Sequence, residues 1–166
     1  HNPPEYNGIK FFDASGSKLP DEVEDEIEAA MQDLGAAPAL SGDTSPIGDG
    51  RERYLTHLIE AAEARLDGLR VVVDCANGAA SDLAPELLRR LGAEVHAINA
   101  EPDGKNINDG CGALYPEVVA GEVVRLGADA GVSHDGDADR ALFADADGAI
   151  VDGDQVLAAC AIALRD

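Results

Sequence analysis

Apolar runs and helical stripes alternate regularly through the middle of the chain. Leu69–Asp74 is a continuous apolar run that closes on a carboxylate, the pattern of a strand buried on both faces. The turn Asn77-Gly78-Ala79-Ala80 leads to a predicted helix through Leu91, with Ser81 or Asp82 near its N-cap and Gly92 at its end. Glu94–Ile98 predicts a second strand. After a long loop, Pro116–Leu126 predicts a helix opened by proline and closed by Gly127, and Asp129–Ser133 a third strand. Strand, helix, strand, helix, strand is the signature of a parallel sheet covered by helices.

The flanks extend this pattern. Ala141–Ala144 and Ala149–Val151 enclose Asp145-Ala146-Asp147-Gly148, a hairpin signal, and a last helix is predicted from about Gly153 to Leu164. Near the start, Ile9–Phe12 reads as a short strand and Ala14-Ser15-Gly16-Ser17 as a turn. A helix follows from Pro20, with Val23, Ile27, Ala30, Met31 and Leu34 at helical spacing as a core stripe and Gly35 as its stop. Ala36–Gly50 has no periodicity and marks a boundary. A helix from about Arg51 carries Tyr54, Leu55, Leu58, Ile59 and Ala62 on one side. The expectation is an α/β protein: a Rossmann-like three-layer α/β/α domain with a mostly parallel sheet over residues 51–166, preceded by a partial α/β lobe over 1–50. That lobe lacks the strands its sheet would need, so it is expected to be mobile, swapped with a neighbouring chain, or completed by another fragment.

Composition narrows the function. The 166 residues hold 33 acidic against 12 basic side chains, a formal net charge of −21. Such a field repels phosphate backbones and argues against nucleic-acid binding. It also fits a protein adapted to a salty cytoplasm, where screening relieves the self-repulsion. No apolar run approaches the roughly 20 residues that cross a bilayer, and the opening residues carry no secretory signal, so no membrane partner is expected. Cys75, Cys111 and Cys160 are odd in number and widely spaced, which argues against a zinc site or disulfide framework and for a reduced, cytoplasmic setting.

The candidate chemistry lies directly after the third strand, where ligands gather in α/β sheets. Asp135, Asp137 and Asp139 alternate with small residues there. Three crowded carboxylates repel one another unless a cation sits among them. A set of carboxylate oxygens favours magnesium or a similar hard ion. An EF-hand is excluded, because counting from Asp135 its sixth and twelfth positions hold Arg140 and Ala146 rather than Gly and Glu. The plainer alternative is an acidic turn on an acidic protein. Arg140 tips the balance, since a guanidinium beside a metal is an arrangement that holds phosphate. Asp145, Asp147, Asp152 and Asp154 lack such a partner and read as hairpin and helix-cap residues.

Asp135-Gly136-Asp137-Ala138-Asp139-Arg140 resembles the D-G-D-x-D-R metal loop of the α-D-phosphohexomutases. His1-Asn2-Pro3-Pro4-Glu5-Tyr6-Asn7-Gly8-Ile9-Lys10 resembles the second half of that family's catalytic serine loop, S-H-N-P-x-x-x-N-G-x-K. The likeness continues through Asp74–Ala79. Asn7–Phe12 and Gly104–Gly112 resemble the branch acting on hexosamine phosphates, although Ala113-Leu114-Tyr115 replaces the usual Ser-Thr-His before Pro-Glu.

The resemblance implies a phosphoserine relay through a sugar bisphosphate, with a hexosamine phosphate as substrate. It implies Mg2+ on Asp135, Asp137, Asp139 and a phosphoserine oxygen. Arg140 would steady the phosphate, with His1 and Lys10 beside the transferring group as proton donor or acceptor and as charge partners. Residues 1–50 would be the end of the serine-bearing domain and 51–166 the second domain. The serine would immediately precede His1, and the 166 residues alone are expected to be inactive. Two rivals stand beside this expectation: a sister mutase for mannose or glucose phosphates, and a non-catalytic cation- or protein-binding module on the same fold. Single residues have plainer roles: His57 and His96 at the surface or packed, His134 shaping a strand end, and Cys111 packed against backbone.

Overall fold

A computed structural model of the chain describes residues 2, 5–6, 10–32, 48–62 and 64–165. It divides into two compact units, Asn7–Gly48 and the remainder. In the first, the Asp13 carboxylate accepts hydrogen bonds from the backbone N–H groups of Ser15 (2.7 Å) and Ser17 (3.2 Å), folding a tight turn under an isolated antiparallel bridge between Phe12 and Lys18. Helix α1 (Asp21–Gln32) follows. Pro20 stands just ahead of it, its carbonyl accepting from Val23 N–H at 3.0 Å. The expected core stripe of α1 is not buried: Val23 is 37% and Met31 61% exposed, and no α1 residue is buried. Among the described residues, the unit offers α1 a single bridge rather than a sheet to pack on. Ile9, Leu34 and Gly35 lie outside the described residues, as does most of the predicted boundary segment 36–50.

The second unit begins with α2 (Gly50–Ala61), continues through β1 (Arg70–Asp74), α3 (Ala80–Arg90), β2 (Glu94–Ile98), a single 3-10 turn (Gly112–Leu114), α4 (Pro116–Leu126), β3 (Ala130–His134), β4 (Ala141–Asp145) and β5 (Ile150–Val151), and ends with α5 (Gly153–Ala163). The sheet order is β2-β1-β3-β4-β5. Its centre is parallel, with Val72 opposite both His96 and Gly131, while β3/β4 and β4/β5 are antiparallel hairpins.

Alternation along β1 feeds two cores. Val71, Val73 and Cys75 join Val132 and Ala80 beneath α3, whereas Val72 joins Val119, Val123 and Ala144 beneath α4. Helices therefore cover both sides of the sheet, giving three layers. Gly131 lacks a side chain where α4 comes closest; a Cβ there would lie 2.8 Å from Val123 Cγ2.

Caps and turns follow local chemistry. Gly127 adopts the left-handed conformation that ends α4. Asp152 and Gln155 form a reciprocal capping box at α5, and Asp145 closes the β4–β5 turn by accepting from Asp147 and Ala149 N–H. At α3 the expected Ser81 or Asp82 cap is absent. The helix starts at Ala80, and Ser81 instead donates its hydroxyl to the Gly78 carbonyl at 2.7 Å. Apolar α5 is exposed apart from half-buried Val156, with Leu157 at 69%.

Candidate metal centre

Three loops meet at the carboxyl end of the parallel strands. Asp135–Arg140 joins β3 to β4; Cys75–Ala79 follows β1; and Asn99–Tyr115 follows β2 and holds the 3-10 turn. Asp135 N–H donates to the Arg140 carbonyl at 3.3 Å, and Ala138 N–H to the Asp135 carbonyl at 3.1 Å. Ala138 takes φ +60 to close the turn, a conformation that is strained for a residue with a side chain. The fold places Asp135, Asp137 and Asp139 together, with one carboxylate oxygen from each inside a 4.8 Å cluster.

Arg140 folds back over this cluster. Its Nε donates to Asp135 Oδ2 at 2.8 Å and to Asp139 Oδ1 at 3.3 Å, its Nη2 reaches Asp135 Oδ2 at 2.7 Å, and its backbone N–H reaches Asp135 Oδ1 at 3.2 Å. Asp135 is only 4% exposed. Burial pushes its carboxyl upward, but the backbone N–H and guanidinium of Arg140 more than offset this, holding it below the ordinary carboxylate range. Two carboxylates thus face one guanidinium whose side chain is 69% exposed. A shallow cavity of 460 Å³ opens beside it, lined by Asp135, Arg140, Ala141 and Leu142 with Ala113 and Leu114 of the 3-10 turn.

The donor set fits a hard divalent cation. All three groups are carboxylates, they converge from one six-residue loop, and Arg140 pairs with two of them, Asp135 and Asp139. His134 adjoins the cluster half-buried. Burial chiefly lowers its pKa, opposed by the charges of Asp135 and Asp74, and Nδ1 has no hydrogen-bond partner among the described residues. His134 is the last residue of β3. His57 and His96 are exposed, and Cys111 is packed at 2% exposure. Lys10 is exposed in the other compact unit, and His1 lies outside the described residues.

Two residues to which the sequence assigns no site role build the surroundings. Asp74 is completely buried, its Oδ1 accepting from Ala76 N–H (2.9 Å) and its Oδ2 from Gly112 N–H (3.0 Å). Asn77, at φ +48, accepts from Glu101 N–H and donates to the Asn106 carbonyl, fastening the long loop. The available signal was the carboxylate at the end of an otherwise apolar strand, since such a group must find donors if it is buried.

Comparison with known proteins agrees with this arrangement. Residues 52–148 match the model of the phosphoglucomutase/phosphomannomutase alpha/beta/alpha domain II, and residues 1–37 match that of domain I. The chain belongs to the phosphoglucomutase/phosphomannomutase family. Among its relatives are the phosphoglucosamine mutases of Thermobifida fusca (strain YX), 54% identical over 168 residues, and of Rhodococcus opacus (strain B4), 52% identical over 170 residues. Each alignment covers 100% of this chain but only 37% and 38% of the relative, so the chain spans well under half of their length. Among solved structures, a Thermus thermophilus protein assigned to the phosphomannomutases superposes with TM-score 0.72 at 29% identity, covering 98% of this chain and 38% of its own. A Burkholderia thailandensis phosphoglucomutase/phosphomannomutase family protein gives 0.65 at 25% identity, covering 91% and 33%.

Proposed function

We propose that the protein containing this chain interconverts glucosamine 6-phosphate and glucosamine 1-phosphate, a cytoplasmic step toward amino-sugar nucleotides. The observation that carries this reading is the identity of just over half with phosphoglucosamine mutases along the whole chain, combined with the convergence of Asp135, Asp137 and Asp139. Residues 1–50 belong in this reading to the serine-bearing domain and 51–166 to the second domain.

The sugar 1-hydroxyl attacks a phosphoserine, releasing the serine oxygen and giving the 1,6-bisphosphate. The serine then takes the 6-phosphoryl group, leaving the 1-phosphate. Lys10 and His1 serve the proton that leaves the attacking hydroxyl and the proton that returns. Arg140 holds a phosphate oxygen with the part of its guanidinium not committed to Asp135 and Asp139, and Asp135 keeps that guanidinium in place. Magnesium, bound by Asp135, Asp137 and Asp139, supplies charge neutralisation and positioning, most of what phosphoryl transfer requires.

Expression of the gene carrying this chain, followed by assay on glucosamine 6-phosphate with Mg2+ and a bisphosphate primer, tests the proposal. Turnover that Asp137→Asn abolishes is the expected result, and failure to convert any hexose phosphate overturns it. A second reading, a sister mutase for mannose or glucose phosphates, rests on Ala113 and Leu114, which line the cavity beside Arg140 where the family pattern usually has Ser-Thr-His before Pro-Glu. Higher kcat/KM on mannose 1-phosphate or glucose 1-phosphate in the same assay would select it.

A further inference from the structure

Asp74 is a fully buried carboxylate that forms no ion pair among the described residues, and it belongs to none of the three acidic positions of the cation loop. A buried carboxylate is costly unless donors or opposite charge compensate. Its compensation here is two backbone N–H groups drawn from two loops: Ala76, two residues on, and Gly112, thirty-eight residues on.

Both of those loops press on the backbone of the cation loop. Beyond Ala76, Ala79 N–H donates to the Gly136 carbonyl at 2.9 Å, and a Cβ on Gly78 would come within 2.7 Å of Gly136 Cα. Gly112 packs so closely that a Cβ there would lie 2.6 Å from the carbonyl of His134, the residue before Asp135. A third contact ties the long loop in, with Asn108 N–H donating to the Ala76 carbonyl at 2.9 Å and Ile107 Cδ1 lying 2.8 Å from where a Gly136 Cβ would be. Gly136 is therefore held between two loops, and both hang on one carboxylate. The charge of Asp74 is also felt at His134, beside the cluster.

We propose that Asp74 is the positioning residue of the cation loop, setting the convergence of Asp135, Asp137 and Asp139 through the Ala76 and Gly112 amides. The inference rests on the cation-loop reading above. It goes beyond packing, because a neutral group of the same shape loses one acceptor and the charge while filling the same space. Asp74→Asn presents one oxygen and one NH2, so one of the two amides faces a donor instead of an acceptor.

Mn2+ serves as the probe, with its dissociation constant measured by electron paramagnetic resonance on the 166-residue chain. Asp74→Asn should weaken Mn2+ by about 10- to 100-fold, the usual effect of losing a group that orients a ligand. Val119→Ala, a core cavity under α4, should lower stability without changing Mn2+ affinity. Asp74→Asn that stays folded and binds Mn2+ as wild type does overturns the proposal. Should that variant fail to fold, wild-type amide exchange decides: binding and bracing are reciprocal, so saturating Mg2+ should slow exchange at Ala76 and Gly112. Unchanged exchange at both overturns the proposal. Absence of Mn2+ binding by wild type is a separate result that overturns the cation-loop reading, and this inference with it.

Discussion

Gly78 and Gly136 meet backbone to backbone: a Cβ on Gly78 would lie 2.7 Å from Gly136 Cα and collide with its carbonyl. The turn after β1 and the cation loop after β3 are thereby fixed against each other, with the hydrogen bond from Ala79 to Gly136 as a second tie. The acidic cluster is thus positioned in part by contact between main chains.

Gly78→Ala follows directly from this contact. The methyl group has no free space, and the obstacle is backbone rather than a flexible side chain, so one loop must shift. Overpacking of this kind costs about 1–3 kcal/mol. Urea denaturation should show that loss, and a Mn2+ titration should show weakened binding as Gly136 moves. Wild-type affinity in a destabilised variant would mean that the cluster tolerates the shift.

Asp137→Asn removes one of the three carboxylates of the cluster. With Mg2+ present, the wild type should gain thermal stability by mass action, and the variant should lose that gain. Scanning calorimetry of both proteins across a Mg2+ series reads the Mg2+-dependent shift in each. An equal Mg2+ shift in both would remove Asp137 from the cation site.

Much of this was legible in the sequence because it is local. The Val71–Val73 run, Pro116 and Gly127 set elements whose observed ends fall within a residue or so of expectation, and Asp152 caps α5 as its spacing with Gln155 demands. The acidic cluster was legible for the same reason, since all its carboxylates and Arg140 lie within six residues. The brace was not. Asp74 reaches Gly112, and Asn77 reaches Glu101 and Asn106, across loops whose path no periodicity encodes. Periodicity also predicted that α1 has an apolar face without revealing whether anything lies against it, and none of its residues is fully buried among the described residues.

The Asp135–Arg140 contact predicts an acid-sensitive component of stability in the metal-free chain. The folded carboxyl titrates below its ordinary value of 3.8, so the unfolded chain binds the proton first. The contribution is therefore complete above about pH 5 and is lost as pH falls through 3.8 toward the lower folded value. Arg140 is largely exposed, which keeps the contribution modest. Denaturation midpoints measured down to about pH 3 should fall less steeply for Asp135→Asn than for wild type. Parallel slopes would mean that other carboxylates carry the acid transition.

Salt should stabilise this protein, although salt weakens most individual ion pairs. Arg51–Asp82 (2.5 Å), Arg90–Glu52 (2.8 Å) and Arg125–Glu122 (2.5 Å) are surface pairs that screening would loosen, but such pairs contribute little each. Against them stands the repulsion among 33 acidic residues that only 12 basic residues oppose. At about 0.01 M salt the screening length is roughly 30 Å and much of that repulsion is felt; at about 1 M it is roughly 3 Å and nearly all of it is gone. Relief of repulsion should outweigh the loosened pairs, raising the melting temperature by several degrees, as about 1 kcal/mol does in a domain of this size. Calorimetry in a KCl series, with sucrose as an uncharged control, reads this directly. A melting temperature indifferent to KCl would show that the acidic residues are spaced widely enough for water alone to screen them.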